Sequence, residues 1–145
     1  GIHIRHTFST TRQTLNSHRA LSAFSNHIHR WYPIFRTGFS EHYSRTIARP
    51  LLPSTETSLV LLVAAIGTLC RSDEASGDEH DGVHASLMET ALFSMSNIII
   101  DLSLSSVQCL ILLSIYNSCR LKPCHAHDMA LIAAVKIQNL IRRFV

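Results

Sequence analysis

The chain has 145 residues, of which 46% are hydrophobic and 16% charged, and its formal net charge is +3 at pH 7. This length fits one domain or a piece of a larger one, and the hydrophobic fraction excludes disorder over most of the chain. The chain begins with Gly rather than Met, so we expect a cut fragment or a processed product. No apolar segment of the secretory type opens the sequence, so no signal peptide is predicted.

The charges are distributed unevenly. Residues 1–50 hold seven arginines against one acid, whereas residues 56–101 hold eight acids against one basic residue, Arg71. The arginines stand singly rather than in a dense cluster, which is more typical of solvated faces than of a phosphate-binding patch.

The cysteines indicate the redox state of the compartment in which the chain is found. The four cysteines (Cys70, Cys109, Cys119 and Cys124) form no Cys-x-x-Cys pair, and three lie in apolar or helical surroundings. A cysteine in such surroundings behaves as a small core residue. This pattern argues against a disulfide framework and predicts a reduced, intracellular compartment.

Residues 1–19 are polar and lack a sustained hydrophobic period, which predicts a poorly ordered lead-in. Residues 20–145 form the helical part, and the first helix should end at Pro33. Its apolar residues at helical spacing are Leu21, Phe24, Ile28 and Trp31. Aromatic residues four apart then predict a second short helix, with Phe35, Phe39 and Tyr43. A turn-rich connection with Pro50 and Pro53 follows.

The middle of the chain predicts two further helices separated by a loop. Residues 54–70 should form a helix buried on most sides, and its apolar run over residues 59–69 is shorter than the roughly 20 residues of a membrane span. Residues 71–82 are acidic, contain Gly77 and Gly82, and predict a solvated loop. The next helix should place one row of residues on the core, namely Val83, Leu87, Ala91, Met95 and Ile98.

The stretch SSVQCLILLSIYNSC, residues 105–119, is the most apolar part of the second half. Ser105 and Gln108, three residues apart, have the form of a capping box that starts a helix. Beyond them the helix is hydrophobic nearly all round, which is typical of a core helix or a membrane span. Lys122 and Pro123 end it too early for a span, so a buried core helix is predicted.

The last segment, residues 125–145, has the pattern of an amphipathic helix. Its core stripe is predicted to be Ala126, Met129, Ala133, Ile137, Leu140 and Phe144. Lys136, Asn139 and Arg143 are predicted to face away from the core. Five or six helices without an alternating strand pattern indicate an all-α, irregular helical domain.

No residue is predicted to be catalytic, cofactor-binding or metal-binding. His27 with His29, and His125 with His127, are spaced two apart, and on a helix such pairs point to different sides. Cys124 adds a soft ligand near the second pair, but no set of four ligands is regularly spaced for zinc. A nucleophile elbow, a glycine-rich phosphate loop and a His-Glu-x-x-His helix are all absent from the sequence.

Four strings, in this order, resemble the fungal-specific transcription factor domain, also called the middle homology region. They are HIHRWYPIFRTGFSEHY, STETSLVLLVAAIGTLC, SSVQCLILLSIYNSC and KPCHAHDMALIAAVKIQNL. The third, with Val-Gln before a Leu-rich run, Ser and Tyr, is the family's most recognisable string. The likeness covers about residues 20–140.

The resemblance implies transcription regulation in the nucleus by a non-enzymatic regulatory domain of a fungal zinc binuclear cluster transcription factor. The implied partners are other segments of the parent transcription factor or coregulator proteins, with no membrane. DNA would be bound only through the zinc cluster, which needs six cysteines in two closely spaced triplets. The four cysteines of this chain do not fit that pattern, so no cofactor is expected here and zinc belongs to a module absent from this chain.

The chain departs from the family near the end of the likeness. Many members have Trp where His127 and Asp128 stand, and they close this helix with Gly-Leu-His where residues 141–143 are Ile-Arg-Arg. The family's domain also continues further, so we expect a truncated copy, the N-terminal part of a larger helical regulatory domain. The alternative is a helical ligand-binding or enzymatic domain with a pocket between residues 59–69 and 105–119.

Overall fold

The computed structural model describes residues 11–72 and 81–144, and within these ranges the chain is all-α, as predicted. Seven α-helices occur there rather than the predicted five or six. The helices are α1 (Thr11–Phe24, continued by a π-helical turn over Ser25–His29), α2 (Phe39–Ala48), α3 (Thr55–Ser72), α4 (Asp81–Leu92), α5 (Met95–Ile100), α6 (Leu104–Cys119) and α7 (Pro123–Phe144).

Helix α3 lies at the centre of the fold and packs on α1, α2, α4 and α6. Every residue from 57 to 68 is buried, which confirms the helix predicted to be buried on most sides. Gly67 makes this packing possible on one side, because a Cβ at this position would lie 1.9 Å from the main-chain oxygen of Ala20 in α1. The close approach of α1 therefore requires a residue without a side chain.

Helix α1 corrects the prediction for residues 1–19, because it begins at Thr11, inside the expected poorly ordered lead-in. Tertiary contacts explain its extent. The Tyr43 hydroxyl of α2 donates a hydrogen bond to the main-chain oxygen of Ser17 at 2.8 Å, and Ala20 lies against α3. The polar sequence alone gives no sign of these contacts. Residues 1–10 lie outside the described part of the chain.

The segment after α1 departs from the predicted spacing. Phe24 and Ile28 are buried as expected, but Trp31 is 71% exposed and lies beyond the helix. A π-helical turn advances the chain by more residues per turn than an α-helix does, so it shifts the side chains that follow out of the expected register. The prediction that Trp31 belongs to the apolar face is therefore wrong.

Helix α2 begins later than predicted, because Gly38 adopts a left-handed conformation with φ of 94° directly before Phe39. Phe35 consequently lies in the preceding loop rather than in the helix. Its ring still stacks on Phe39, with 3.8 Å between the ring centroids, and Tyr43 is buried on the same side. The predicted aromatic cluster is thus present, although only part of it is helical.

Helices α4 and α5 were predicted as one helix. The helix is interrupted at Phe93 and Ser94, and Val83, which was predicted to face the core, is 45% exposed. Leu87 and Ile98 are buried as expected. Of the predicted acidic loop, Arg71 and Ser72 end α3, Asp81 and Gly82 begin α4, and residues 73–80 lie outside the described part.

Helix α6 is the predicted core helix, with the residues from 106 to 110 buried in succession. The predicted capping box is wrong by two residues. Ser103 is the N-cap: its hydroxyl accepts from the main-chain nitrogen of Ser106 at 3.2 Å, and the hydroxyl of Ser106 accepts from the main-chain nitrogen of Ser103 at 3.4 Å. Gln108 instead donates to the main-chain oxygen of Ile34 at 3.0 Å.

Helix α7 begins at Pro123, a favourable first position because proline lacks the N–H that a helix start leaves unpaired. It packs chiefly on α6 and returns along it, since the two helices are joined by three residues, 120–122. Across the described residues, every helix is too short or too polar to cross a membrane.

Candidate protein-contact surface

The residues weighed as metal ligands from the sequence are not brought together. His27 and His29 lie in the π-helical turn, while His125 and His127 are exposed in the first turns of α7 beside exposed Cys124. Within residues 11–72 and 81–144, no group of three or more His, Cys, Asp or Glu side chains lies close enough to hold a metal ion. The cysteines are all in the thiol form.

Buried polar contacts join the helices of the core. The Nδ1 atom of His84 in α4 lies 3.0 Å from the hydroxyl of Tyr116 in α6, and burial raises the pKa of Tyr116 although Arg120 opposes this. The hydroxyl of Ser114 in α6 donates to the main-chain oxygen of Ala126 in α7 at 2.8 Å. These groups fix how neighbouring helices pack, and the sequence did not single them out.

Lys136 is the most unusual charged residue of α7. It was predicted to face away from the core, but it is buried, with 6% of its surface exposed. Its Nζ donates a hydrogen bond at 2.5 Å to the main-chain oxygen of Asp101, directly after α5. Burial lowers the pKa of Lys136, while the nearby charge of Asp101 opposes that shift. A lysine has a long, flexible stem, so it can bury its methylene groups while its ammonium reaches a carbonyl oxygen.

The contact between Lys136 and Asp101 also shows where α7 begins to extend past the first residue of α6. Asp101 lies three residues before the first residue of α6, and α7 runs antiparallel to α6, so residues after Lys136 extend past the start of α6. A helix rises about 1.5 Å per residue, which places Phe144 about 12 Å beyond Lys136. The predicted core stripe therefore ends at Ala133: Ile137 is 40% exposed and Phe144 is 86% exposed.

Exposed apolar side chains lie on two sides of α7, with Leu131 and Val135 on one side and Ile137, Ile141 and Phe144 on another. We call the surface formed by Ile137, Ile141 and Phe144 the α7 flank. Ile137, Ile141 and Phe144 follow one another at spacings of four and three, so they lie along one row of the helix. Arg142 and Arg143 add positive charge in the last turn of the same helix. An exposed apolar row is the kind of surface through which a protein contacts another segment.

The region between α3 and α6, the alternative site, is filled by the side chains of the two helices. Leu59, Leu62, Leu110 and Leu112 are almost completely buried there. The thiol of Cys109 reaches the main-chain oxygen of Thr55 at 3.6 Å, and burial, together with the charges of nearby acids, raises the pKa of Cys109 to about 12. These side chains fill the contact between the two helices, whereas a cleft lined by Leu59, Ser105 and Gln108, among other residues, is open to solvent.

Comparison with known proteins identifies the family. The fungal specific transcription factor domain matches residues 21–143. The chain belongs to this family. It is also 47% identical over 140 residues to the Aspergillus rugulosus protein named "Putative transcription factor ecdB", an alignment that covers 94% of this chain and 24% of that protein. No solved structure matches the chain.

Membership of the fungal specific transcription factor domain family connects the chain with the regulation of transcription and does not favour the alternative of an enzyme or ligand-binding domain. The predicted family and the predicted role in transcription are therefore confirmed. The chain spans about a quarter of the length of the Aspergillus relative, so it corresponds to one part of that protein.

Proposed function

We propose that this chain is a non-enzymatic regulatory part of a fungal zinc-cluster transcription factor and that it works in the nucleus by binding protein segments. The observation that carries the proposal is the α7 flank, an apolar row that extends past α6 with exposed Ile137, Ile141 and Phe144. The partners proposed for it are other segments of the parent protein or coregulator proteins. Basic Arg142 and Arg143 in the last turn of the same helix favour a partner segment with acidic side chains.

Reading of DNA sequence is assigned, within this proposal, to a zinc cluster outside these 145 residues. Such reading needs an element that enters a groove and presents side chains to base edges. The arginines of residues 1–50 stand singly along the chain, and the apolar faces of α1 and α2 are used for the core. We therefore expect at most weak, salt-sensitive attraction of the chain to DNA, with dissociation constants of roughly 10⁻⁴–10⁻⁶ M.

The DNA part of the proposal is tested by titrating the purified chain against a selected library of duplexes at physiological salt. We expect no enriched sequence motif. A reproducible motif that binds at nanomolar strength would move the DNA-reading function into this chain and contradict the proposal.

The protein-contact part is tested with the parent transcription factor and a reporter gene in its fungal host. Ile141→Ser should change reporter output by several fold while the melting temperature of the purified chain stays the same, because Ile141 is 57% exposed. Phe93→Ser is the matched control, since Phe93 is also exposed and apolar but lies between α4 and α5. Equal reporter output from both variants and the unmodified protein would refute the role of the α7 flank.

The partner itself is identified by placing a photo-cross-linking amino acid at position 141. The proposal expects a cross-linked product that contains either another segment of the parent protein or a second nuclear protein. The same cross-linker at position 93 should not give that product. If both positions gave the same products, the contact would be non-specific and the proposal would fail.

A further inference from the structure

A second surface lies where three helix ends meet, apart from the α7 flank. The start of α3, the end of α5 and the turn before α6 enclose a cleft of about 500 Å³. One wall consists of residues 53–56, and the other includes Ile100, Asp101 and Ser103. We call this the α3–α5–α6 cleft. The proposed regulatory function does not use it.

Exposed apolar side chains lie in and next to the cleft. Ile100, on the cleft wall, is 81% exposed. Leu104, which is 51% exposed, lines an adjoining cleft that shares Glu56 with this one. Two large aliphatic side chains near one carboxylate can bury apolar area on a partner.

The same cleft contains two acidic side chains, Glu56 and Asp101. The carboxylate of Glu56 accepts from the hydroxyl of Ser105 and lies 3.1 Å from the Nε2 atom of His42. The carboxylate of Asp101 accepts from the hydroxyl of Ser103 at 2.9 Å. An ionised carboxylate can accept about four hydrogen bonds, so both groups keep the capacity to bind a cation at the surface.

The positive charges near these acids do not occupy the cleft. The ammonium of Lys136 donates to the main-chain oxygen of Asp101 and is near enough to act on its carboxylate, but the Lys136 side chain is buried. His42 contacts Glu56 from α2. Burial chiefly raises the pKa of the Cys109 thiol, and the negative charges of Glu56 and Asp101 add to this. Two carboxylates and one buried ammonium leave the cleft with a net negative charge.

We propose that the α3–α5–α6 cleft binds a basic amphipathic segment of a partner protein. Large apolar side chains of that segment would pack on Ile100 and Leu104, and a Lys or Arg within one helical turn of them would pair with Glu56 or Asp101. Charge complementarity selects this occupant, because phosphate groups of nucleic acid or of acidic lipids would be repelled by the two carboxylates.

The test is a selection from a phage-displayed library of random peptides against the whole 145-residue chain. Enriched peptides should combine Lys or Arg with Leu, Ile or Phe three or four positions away, and their affinity should fall as salt is raised. An enrichment of acidic or wholly apolar peptides would overturn the proposal, and so would the absence of any enrichment.

Variants then locate the binding of the enriched peptides, measured by fluorescence anisotropy. Ile100→Ser should weaken binding about tenfold and Glu56→Gln about threefold, as expected for an apolar anchor and for one partly exposed ion pair. Ile141→Ser on the α7 flank is the control and should leave the affinity unchanged. Peptides that respond to Ile141→Ser and not to Ile100→Ser would place the site on α7 and refute the cleft, whereas the proposed function of the α7 flank would stand.

Discussion

Helices α6 and α7 are neighbours in sequence and pack on each other, yet they are buried to very different degrees. Helix α6 has 16 residues and packs on α3, α5 and α7, and seven of its residues are buried. Helix α7 has 22 residues, packs chiefly on α6, and has three buried residues, one of which is a lysine. Burial of a helix is therefore decided by how many neighbours surround it as well as by its own apolar residues, and an apolar stripe beyond the last neighbour stays at the surface.

The largest expected difference between α6 and α7 is the loss of stability when a charged side chain replaces a leucine. Leu110→Asp in α6 would place a carboxylate where the native side chain has no exposed surface, and we expect a loss of more than about 4 kcal/mol in the free energy of unfolding. Leu131→Asp in α7 should cost less than about 1 kcal/mol, because Leu131 is half exposed. Thermal melting followed by circular dichroism measures both, and equal losses would contradict the assigned burial.

The second prediction concerns the close contact of α1 with α3, the helix at the centre of the fold. Gly67→Ala would bring a methyl group against the main chain of α1. Main-chain atoms cannot rotate away as a side chain can, so we expect a loss of about 1–3 kcal/mol in the free energy of unfolding. Gly82→Ala is the control, since no atom lies within 4 Å of its added Cβ, and it should be neutral or slightly stabilising. Urea denaturation measures both changes. A Gly67→Ala variant as stable as the unmodified chain would show that α1 does not approach α3 so closely.

The third prediction concerns Lys136, the buried lysine of α7. Lys136→Met removes the hydrogen bond to the main-chain oxygen of Asp101, and we expect a loss of about 1 kcal/mol at pH 7. Burial lowers the pKa of Lys136 in the folded chain below the 10.5 of the unfolded chain. As the pH rises towards 10.5, the folded chain therefore loses this proton first, and the unfolded chain binds more protons than the folded chain. The stability of the unmodified chain relative to Lys136→Met should therefore increase over that range.

Urea denaturation at pH 7 and at pH 10 measures this difference. Lys122→Met is the control, since Lys122 is exposed in the turn before α7, and its effect should be small at both pH values. A difference between Lys136→Met and the unmodified chain that stays constant with pH would show that Lys136 is not shielded from water.

The smallest effect concerns thiol reactivity and changes no stability. Cys109 in α6 is completely buried, and its pKa of about 12 keeps it protonated at pH 8, so it should react with a thiol reagent only on unfolding. Cys119 and Cys124, at the ends of α6 and α7 that face solvent, should react within minutes. Mass spectrometry after timed labelling identifies the modified positions. Early labelling of Cys109 would show that α6 opens readily.

The family resemblance could be found from the sequence because it depends on local strings of residues, such as Val-Gln before the Leu-rich run of α6. The candidate site could not. Ile137 and Phe144 of the α7 flank were predicted to be part of the core, since they have the spacing of a buried stripe. Nothing in that spacing states where the neighbouring helix ends. A helix longer than the one before it was the available signal: 22 residues cannot be covered along their whole length by 16.

The sequence by itself determined the all-α class and the burial of α3 and α6, because both helices are apolar on nearly all sides and no other environment would keep them from water. Tertiary structure decided the rest. Helix α1 includes polar residues before Ala20, and α2 and α3 contact it at Ser17 and Ala20. Lys136 is buried because a carbonyl oxygen lies within its reach, and Ile141 is exposed because α7 continues there beyond the first residue of α6. These outcomes depend on which groups lie opposite each residue in space, and hydrophobic periodicity along one helix carries no information about its neighbours.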